Sequence, residues 1–248
     1  MVQVQAVLLD LDATLLDYAE DFWEQSIGAA AAALARDVPG LPAAELARSY
    51  RQLAITHWKT VEATAPAVIR SAVDGHPDWL QVWGEALTGL GFSDPGLAER
   101  VTEEYRQVRN RTYRLYPDVT TVLPELRRRA GAVGLVTNGA SQTQRDKIAV
   151  TGLARYLDVI MISGEAGVAK PDPEIFELAL GKLGVPARAA WHVGDSLGAD
   201  VAGARNAGLA EAIWLNRSGT DLPPAAPRPT PEITSLSDLL PLLDTAGR

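Results

Sequence analysis

The sequence predicts an α/β protein: a doubly wound parallel sheet with a helical domain inserted after its first strand. Three observations predict it. From about residue 120 to the end, short apolar runs alternate with helix-type patterns. Residues 17–115 carry Ala, Leu, Arg and Glu at helical spacing and no convincing strand. Four polar clusters each follow a predicted core strand. Strands that alternate with helices build parallel sheets covered on both faces.

The first strand is placed at residues 4–9, apolar throughout except for Gln5. A run apolar on both faces suits a strand buried on both sides. Helical patterns follow at residues 27–36, 43–56 and 97–113, and Pro39, Gly40, Pro66, Gly75, Pro77, Pro95 and Gly96 punctuate that region. Further strands are placed at residues 132–136, 157–162, 189–193 and 211–215. Between them, Ser141 can cap a helix that Gly152 ends, Pro171 and Pro173 open one that Gly184 ends, and Gly208 ends the one before Glu211. Residues 223–231 form a Pro-rich loop, and Ser235 or Ser237 starts a last short helix through Leu243. The expected organisation is a core of residues 1–16 and 116–248 with a helical insertion, residues 17–115.

Composition narrows the function. The chain has 248 residues, 47 % hydrophobic and 22 % charged, which is ample for a core. Its net charge of -8 leaves no whole-protein basic footprint for a nucleic acid polymer or an anionic membrane. An anionic ligand must then be captured by a local arrangement of charge. The absence of cysteine excludes disulfides and thiolate metal sites. The first residues show no basic n-region, and no apolar run reaches the ~20 residues of a membrane span, so a cytoplasmic protein is expected.

The four clusters carry the chemistry. They are Asp10-Leu11-Asp12-Ala13-Thr14, Thr137-Asn138-Gly139, Lys170-Pro171, and Gly194-Asp195-Ser196 with Asp200. In an open parallel sheet, ligands sit beyond the carboxyl ends of the strands. Asp10, Asp12, Asp195 and Asp200 would crowd four carboxylates, an arrangement that a hard divalent cation relieves, and Mg²⁺ is the usual one beside a phosphate. Lys170 supplies a point charge for phosphate oxygens. Thr137 supplies a hydroxyl, and Asn138 and Gly139 supply backbone N–H groups at a turn into a helix. His192 reads as a hydrogen-bonded core histidine. Trp23, Trp58, Trp79 and Trp83 read as packing, and Arg127-Arg128-Arg129 as a solvated helix end. Tyr18, Phe22, Trp23, Trp58 and Lys59 are side chains of the insertion available to a substrate.

On these four clusters, in this order, the chain resembles the haloacid dehalogenase-like hydrolase superfamily, with a Rossmann-like core and a helical cap. The stretch 134–215 is most similar to pyrimidine 5′-nucleotidases and N-acylneuraminate-9-phosphatases. The resemblance implies a phosphatase for small phosphate monoesters of the nucleotide or sugar phosphate class, acting as a monomer or homodimer. It implies that Asp10 is the nucleophile and forms an aspartyl-phosphate, and that Asp12 is the acid and then the base. Thr137, the Asn138 backbone and Lys170 would hold the phosphoryl group. The Asp10 side chain, the Asp12 carbonyl and Asp195 would hold Mg²⁺, with Asp200 behind them. Ala13 stands where the family commonly has Gly, and would carry strain if the turn required a positive φ. A phosphomutase and a haloacid dehalogenase are the alternatives on this fold. Asp12 argues against the second, because a halide leaving group needs no proton.

Overall fold

The computed structural model describes residues 3–17, 21–64 and 79–246. Tyr18, Pro66, Gly75, His76 and Pro77, together with the side chains of Trp58 and Lys59, lie outside the described residues. The chain divides into two compact units, Met1–Asp17 with Arg114–Arg248, and Tyr18–Tyr113.

The first unit opens with β1 (Ala6–Leu9), four side chains buried on both faces, and a short β2 (Leu16–Asp17). The second unit contains α1 (Phe22–Asp37), α2 (Ala43–Thr64), α3 (Trp79–Gly89) and α4 (Pro95–Thr112). Ile27, Ala30, Ala31 and Leu34 recur on α1 at the spacing of one helix face, and all four are buried. They join Val82, Trp83, Ala86 and Leu87 of α3 and Val101 and Tyr105 of α4 in one core. The Tyr50 ring stacks on Trp83 there, centroids 3.8 Å apart. Trp23 and Trp79 pack against the same core, so the three described tryptophans of this unit serve its interior. The start of α4 is set locally: Asp94 accepts from the Gly96 N–H at 2.9 Å, and Pro95 fills the first turn. His57 pairs with Glu85 at 3.0 Å.

The first unit resumes with β3 (Arg114–Leu115), antiparallel to β2, followed by α5 (Val119–Ala130), β4 (Ala132–Thr137) and α6 (Ser141–Thr151). Then come β5 (Val159–Ile162), α7 (Pro173–Leu183), β6 (Ala190–Gly194), α8 (Ala202–Asn206), β7 (Glu211–Leu215), β8 (Glu232–Ile233) and α9 (Leu239–Ala246). Six strands form one sheet in the order β5-β4-β1-β6-β7-β8, and every neighbouring pair is parallel. The doubly wound sheet expected from the sequence is present. β1 is central, with Leu9 level with Leu135 of β4 and Val193 of β6. The winding reverses around β1, and the crevice beyond its carboxyl end is where such sheets bind ligands.

Several local readings change. Ser141 is the first residue of α6 rather than its cap, and its hydroxyl donates to Glu165 at 2.7 Å. Pro173 opens α7 behind an Asp172 cap, whereas Pro171 lies before the helix, joined to Lys170 by a cis peptide bond. Arg127, Arg128 and Arg129 lie in the last turn of α5, the solvated helix end expected from the sequence, and pair there with Asp158, Glu125 and Asp244. Among the described residues no helix is long and apolar enough to cross a membrane.

Candidate active site

Asp10 follows β1 directly, and its N–H continues the ladder to the Val193 carbonyl at 2.9 Å. Its carboxylate is buried, as are Lys170 and Asp200. The Lys170 ammonium donates to Asp10 Oδ1 at 2.5 Å and to Asp200 Oδ1 at 2.6 Å. His192 lies within hydrogen-bond distance of the same Asp200 oxygen, at 2.9 Å, and the Ser196 N–H donates to Oδ2 at 3.0 Å. The core histidine read from the sequence is therefore hydrogen-bonded to a residue of the site. Gly194 permits this closeness, because a Cβ there would collide with the Asp200 carboxyl.

Electrostatics sort these groups. Burial, then the neighbouring carboxylates, holds the Asp10 carboxyl well above its ordinary value despite the pull of Lys170. Burial and Asp200 push Asp195 up to about 6. Burial acts on Asp200 in the same direction, yet Lys170 and His192 outweigh it and hold that carboxyl below its ordinary value. Burial opposes the charge on Lys170, but the two carboxylates prevail and raise it. Burial lowers His192, which favours a neutral imidazole donating from Nε2.

Thr14 accepts from the Asp195 N–H at 3.1 Å, tying the loop after β1 to the loop after β6. Arg217 donates to the Thr14 carbonyl at 3.0 Å, stacks on Tyr116 at 3.8 Å, and grips Asp118 with both terminal nitrogens at 3.0 Å. Asp118 also accepts from the Ser235 hydroxyl and the Leu236 N–H, both at 2.9 Å. Within that loop Ala13 sits at φ +57°, in the left-handed region. The strain that an alanine would bring to this turn is present. A cleft of about 300 Å³ opens beside Asp195, lined by Ala13, Tyr116, Trp214 and Arg217 among others.

The second cluster does more bracing than the sequence suggested. The Asn138 side chain pairs with the Lys170 backbone in both directions at 2.9 Å, joining the loop after β4 to the lysine. The Gly139 N–H, expected to cradle an anion, is taken by the buried Ser163 hydroxyl at 2.9 Å. Thr137 is buried, and its hydroxyl accepts from Gln144 Nε2 at 2.6 Å. Asp12 is not grouped with Lys170. Its carboxylate accepts from Lys147 at 3.0 and 3.1 Å and from Gln144 at 2.9 Å. Sequence reasoning missed both α6 residues. The sequence offered no signal for them, because residues 141–147 are all polar and polar helix residues ordinarily face water.

The ligand atoms of Asp10, Asp195 and Asp200 lie within 4.8 Å of one another. Asp200 already accepts at both oxygens. Asp10 and Asp195 are the pair whose ionised forms are disfavoured, which a hard cation with oxygen ligands relieves. The donor set fits Mg²⁺.

The chain belongs to the haloacid dehalogenase-like hydrolases, whose family profile matches residues 4–208. It is 35 % identical over 246 residues to a phosphoserine phosphatase of Thermus thermophilus, covering 93 % of this chain and 94 % of that one. It is 34 % identical over 177 residues to the pyrimidine 5′-nucleotidase YjjG of Escherichia coli, covering 67 % of this chain and 78 % of that one. Among solved structures, a 2-haloacid dehalogenase from Pseudomonas syringae pv. Tomato DC3000 superposes with a TM-score of 0.71 at 29 % identity, covering 98 % of this chain and 99 % of that one.

Proposed function

We propose that this hydrolase is a Mg²⁺-dependent phosphatase of small phosphate monoesters, working through an aspartyl-phosphate on Asp10. The observation that carries it is the Lys170 ammonium held between Asp10 and Asp200, with Asp12 two residues beyond Asp10. Asp10 attacks phosphorus and the bond to the leaving oxygen breaks, while Asp12 gives that oxygen a proton. Asp12 then takes a proton from the water that attacks the aspartyl-phosphate, releasing phosphate and restoring Asp10. Lys170 and the Thr137 hydroxyl hold the phosphoryl oxygens, with the Asn138 side chain fixing Lys170 through its backbone. Mg²⁺ is assigned to Asp10, Asp195 and the Asp12 carbonyl, with Asp200 orienting Lys170; when bound, it neutralises charge on the phosphoryl oxygens.

The similarity to a phosphoserine phosphatase and a pyrimidine 5′-nucleotidase supports a small polar ester, with nucleotide and sugar phosphates as the expected class. The helical unit, expected at residues 17–115, is assigned the choice of leaving group. The test is phosphate release from an aryl phosphate and from a panel of phosphoserine, nucleotides and sugar phosphates, with and without EDTA. Metal-dependent release is expected, and full activity after thorough metal removal would overturn the metal assignment. Halide release from a 2-haloacid without phosphatase activity would favour the dehalogenase reading, and transfer of phosphate to a second sugar hydroxyl the phosphomutase.

A further inference from the structure

Asp12 is held from a different element than Asp10. Both of its carboxylate oxygens accept from α6: Oδ1 and Oδ2 from Lys147 Nζ at 3.0 and 3.1 Å, and Oδ2 from Gln144 Nε2 at 2.9 Å. Lys147 is 2 % exposed and Gln144 is fully buried. Burying an ammonium or an amide costs free energy unless it is paired. An apolar side chain at a buried helix position would avoid that cost, so the two buried polar groups need a local reason. The same Gln144 nitrogen also reaches the Thr137 hydroxyl at 2.6 Å and the Asn138 carbonyl at 3.2 Å. One amide thus touches both the carboxylate assigned to proton transfer and the hydroxyl assigned to the phosphoryl group.

We infer that Lys147 and Gln144 are positioning residues for Asp12, fixing its carboxylate relative to the phosphoryl site through α6. The inference rests on the phosphatase reading, in which Asp12 protonates the leaving oxygen. A misplaced acid matters in proportion to how much the leaving oxygen needs a proton. An alkyl phosphate expels a strongly basic alkoxide and depends on the acid. 2,4-Dinitrophenyl phosphate expels a stable anion and does not. Loss of fold or of metal would depress both substrates together.

The experiment compares kcat/KM for an alkyl phosphate and for 2,4-dinitrophenyl phosphate in wild type, Asp12→Asn, Lys147→Met and Gln144→Met. Asp12→Asn should lose about 10²–10⁴-fold on the alkyl ester and far less on the activated one. Lys147→Met should repeat that pattern more weakly, with a loss of about 10-fold or more confined to the alkyl ester. Added to Asp12→Asn, Lys147→Met should produce no further selective loss. If Asp12→Asn is selective but Lys147→Met lowers both substrates equally, or neither, the positioning role is overturned; Gln144→Met should add a loss common to both esters, because its amide also reaches Thr137. If Asp12→Asn itself shows no selectivity, the acid assignment fails instead. Should Lys147→Met not fold, Lys147→Gln, which keeps a polar end in the buried position but removes the charge, is read on the same scale and decides the same point.

Discussion

The ammonium of Lys170 stands 2.5 Å from the Asp10 carboxylate, although 160 positions separate the two residues in the chain. One buried cation serves both Asp10 and Asp200, so the metal-free site carries more negative than positive charge. Asp10 is the member left least comfortable as an anion.

Asp10→Asn should therefore abolish turnover while raising the thermal midpoint of the metal-free protein near neutral pH. The amide cannot attack phosphorus, and loss of a nucleophile costs well over about a hundredfold. It also removes a buried charge that burial and its neighbours disfavour, the usual opposition of function and stability. Activity assays and melting curves in EDTA check both halves; residual turnover above about a hundredth of wild type would contradict the covalent route.

Gly194→Ala should disturb Asp200. The new methyl would meet the Asp200 carboxyl, which is held by Lys170, His192 and the Ser196 N–H and has little room to yield. Overpacking of this kind costs about 1–3 kcal/mol. A lower urea midpoint and a reduced kcat are expected; wild-type values for both would show that the carboxyl moves freely.

Asp118 gives a pH signature. Burial would raise its carboxyl, but Arg217, the Leu236 N–H and the Ser235 hydroxyl together hold it below the ordinary value of 3.8. A group depressed in the folded state stabilises above its unfolded value and loses that contribution as pH falls through its folded one. Asp118→Asn should cost about 1–3 kcal/mol at neutral pH. The gap to wild type in urea midpoint should stay level down to about pH 4 and close below it. A gap that persisted unchanged at pH 3 would show that packing, rather than charge, sets the loss.

Ala13→Gly tests the turn after β1. Alanine in the left-handed region costs roughly 1–2 kcal/mol, while glycine adds about 0.4–1 kcal/mol of unfolded-state entropy. The net expectation is stabilisation of up to about 1 kcal/mol, read from the unfolding midpoint. A clear destabilisation would mean that the Ala13 methyl contributes packing that outweighs its strain.

The sequence made the sheet legible because its strands are buried on both faces and so read as continuous apolar runs. Residues 211–215 match β7, and residues 132–136 fall one short of β4. β2, β3 and β8 were invisible, since two residues carry no periodicity. Asp10, Lys170, Asp195 and Asp200 announced themselves as polar residues following buried strands. Gln144 and Lys147 did not, because polar residues on a helix ordinarily face water. The Gly139 N–H was misread because its partner, Ser163, lies 24 residues away on another strand's end. Asp118 and Arg217 were missed for the same reason, at a separation of 99 residues.

The pairing of β2 with β3 has a consequence for the architecture as a polymer. It fastens the two ends of the excursion 18–113 side by side, Leu16 against Leu115 and Asp17 against Arg114. Once a loop's ends are fastened, doubling its contour adds only about 0.6 kcal/mol of closure entropy. The seam is thus nearly indifferent to how much chain hangs from it. A longer, shorter or unrelated excursion can be drafted into the same seam while Asp10 keeps its address just beyond β1.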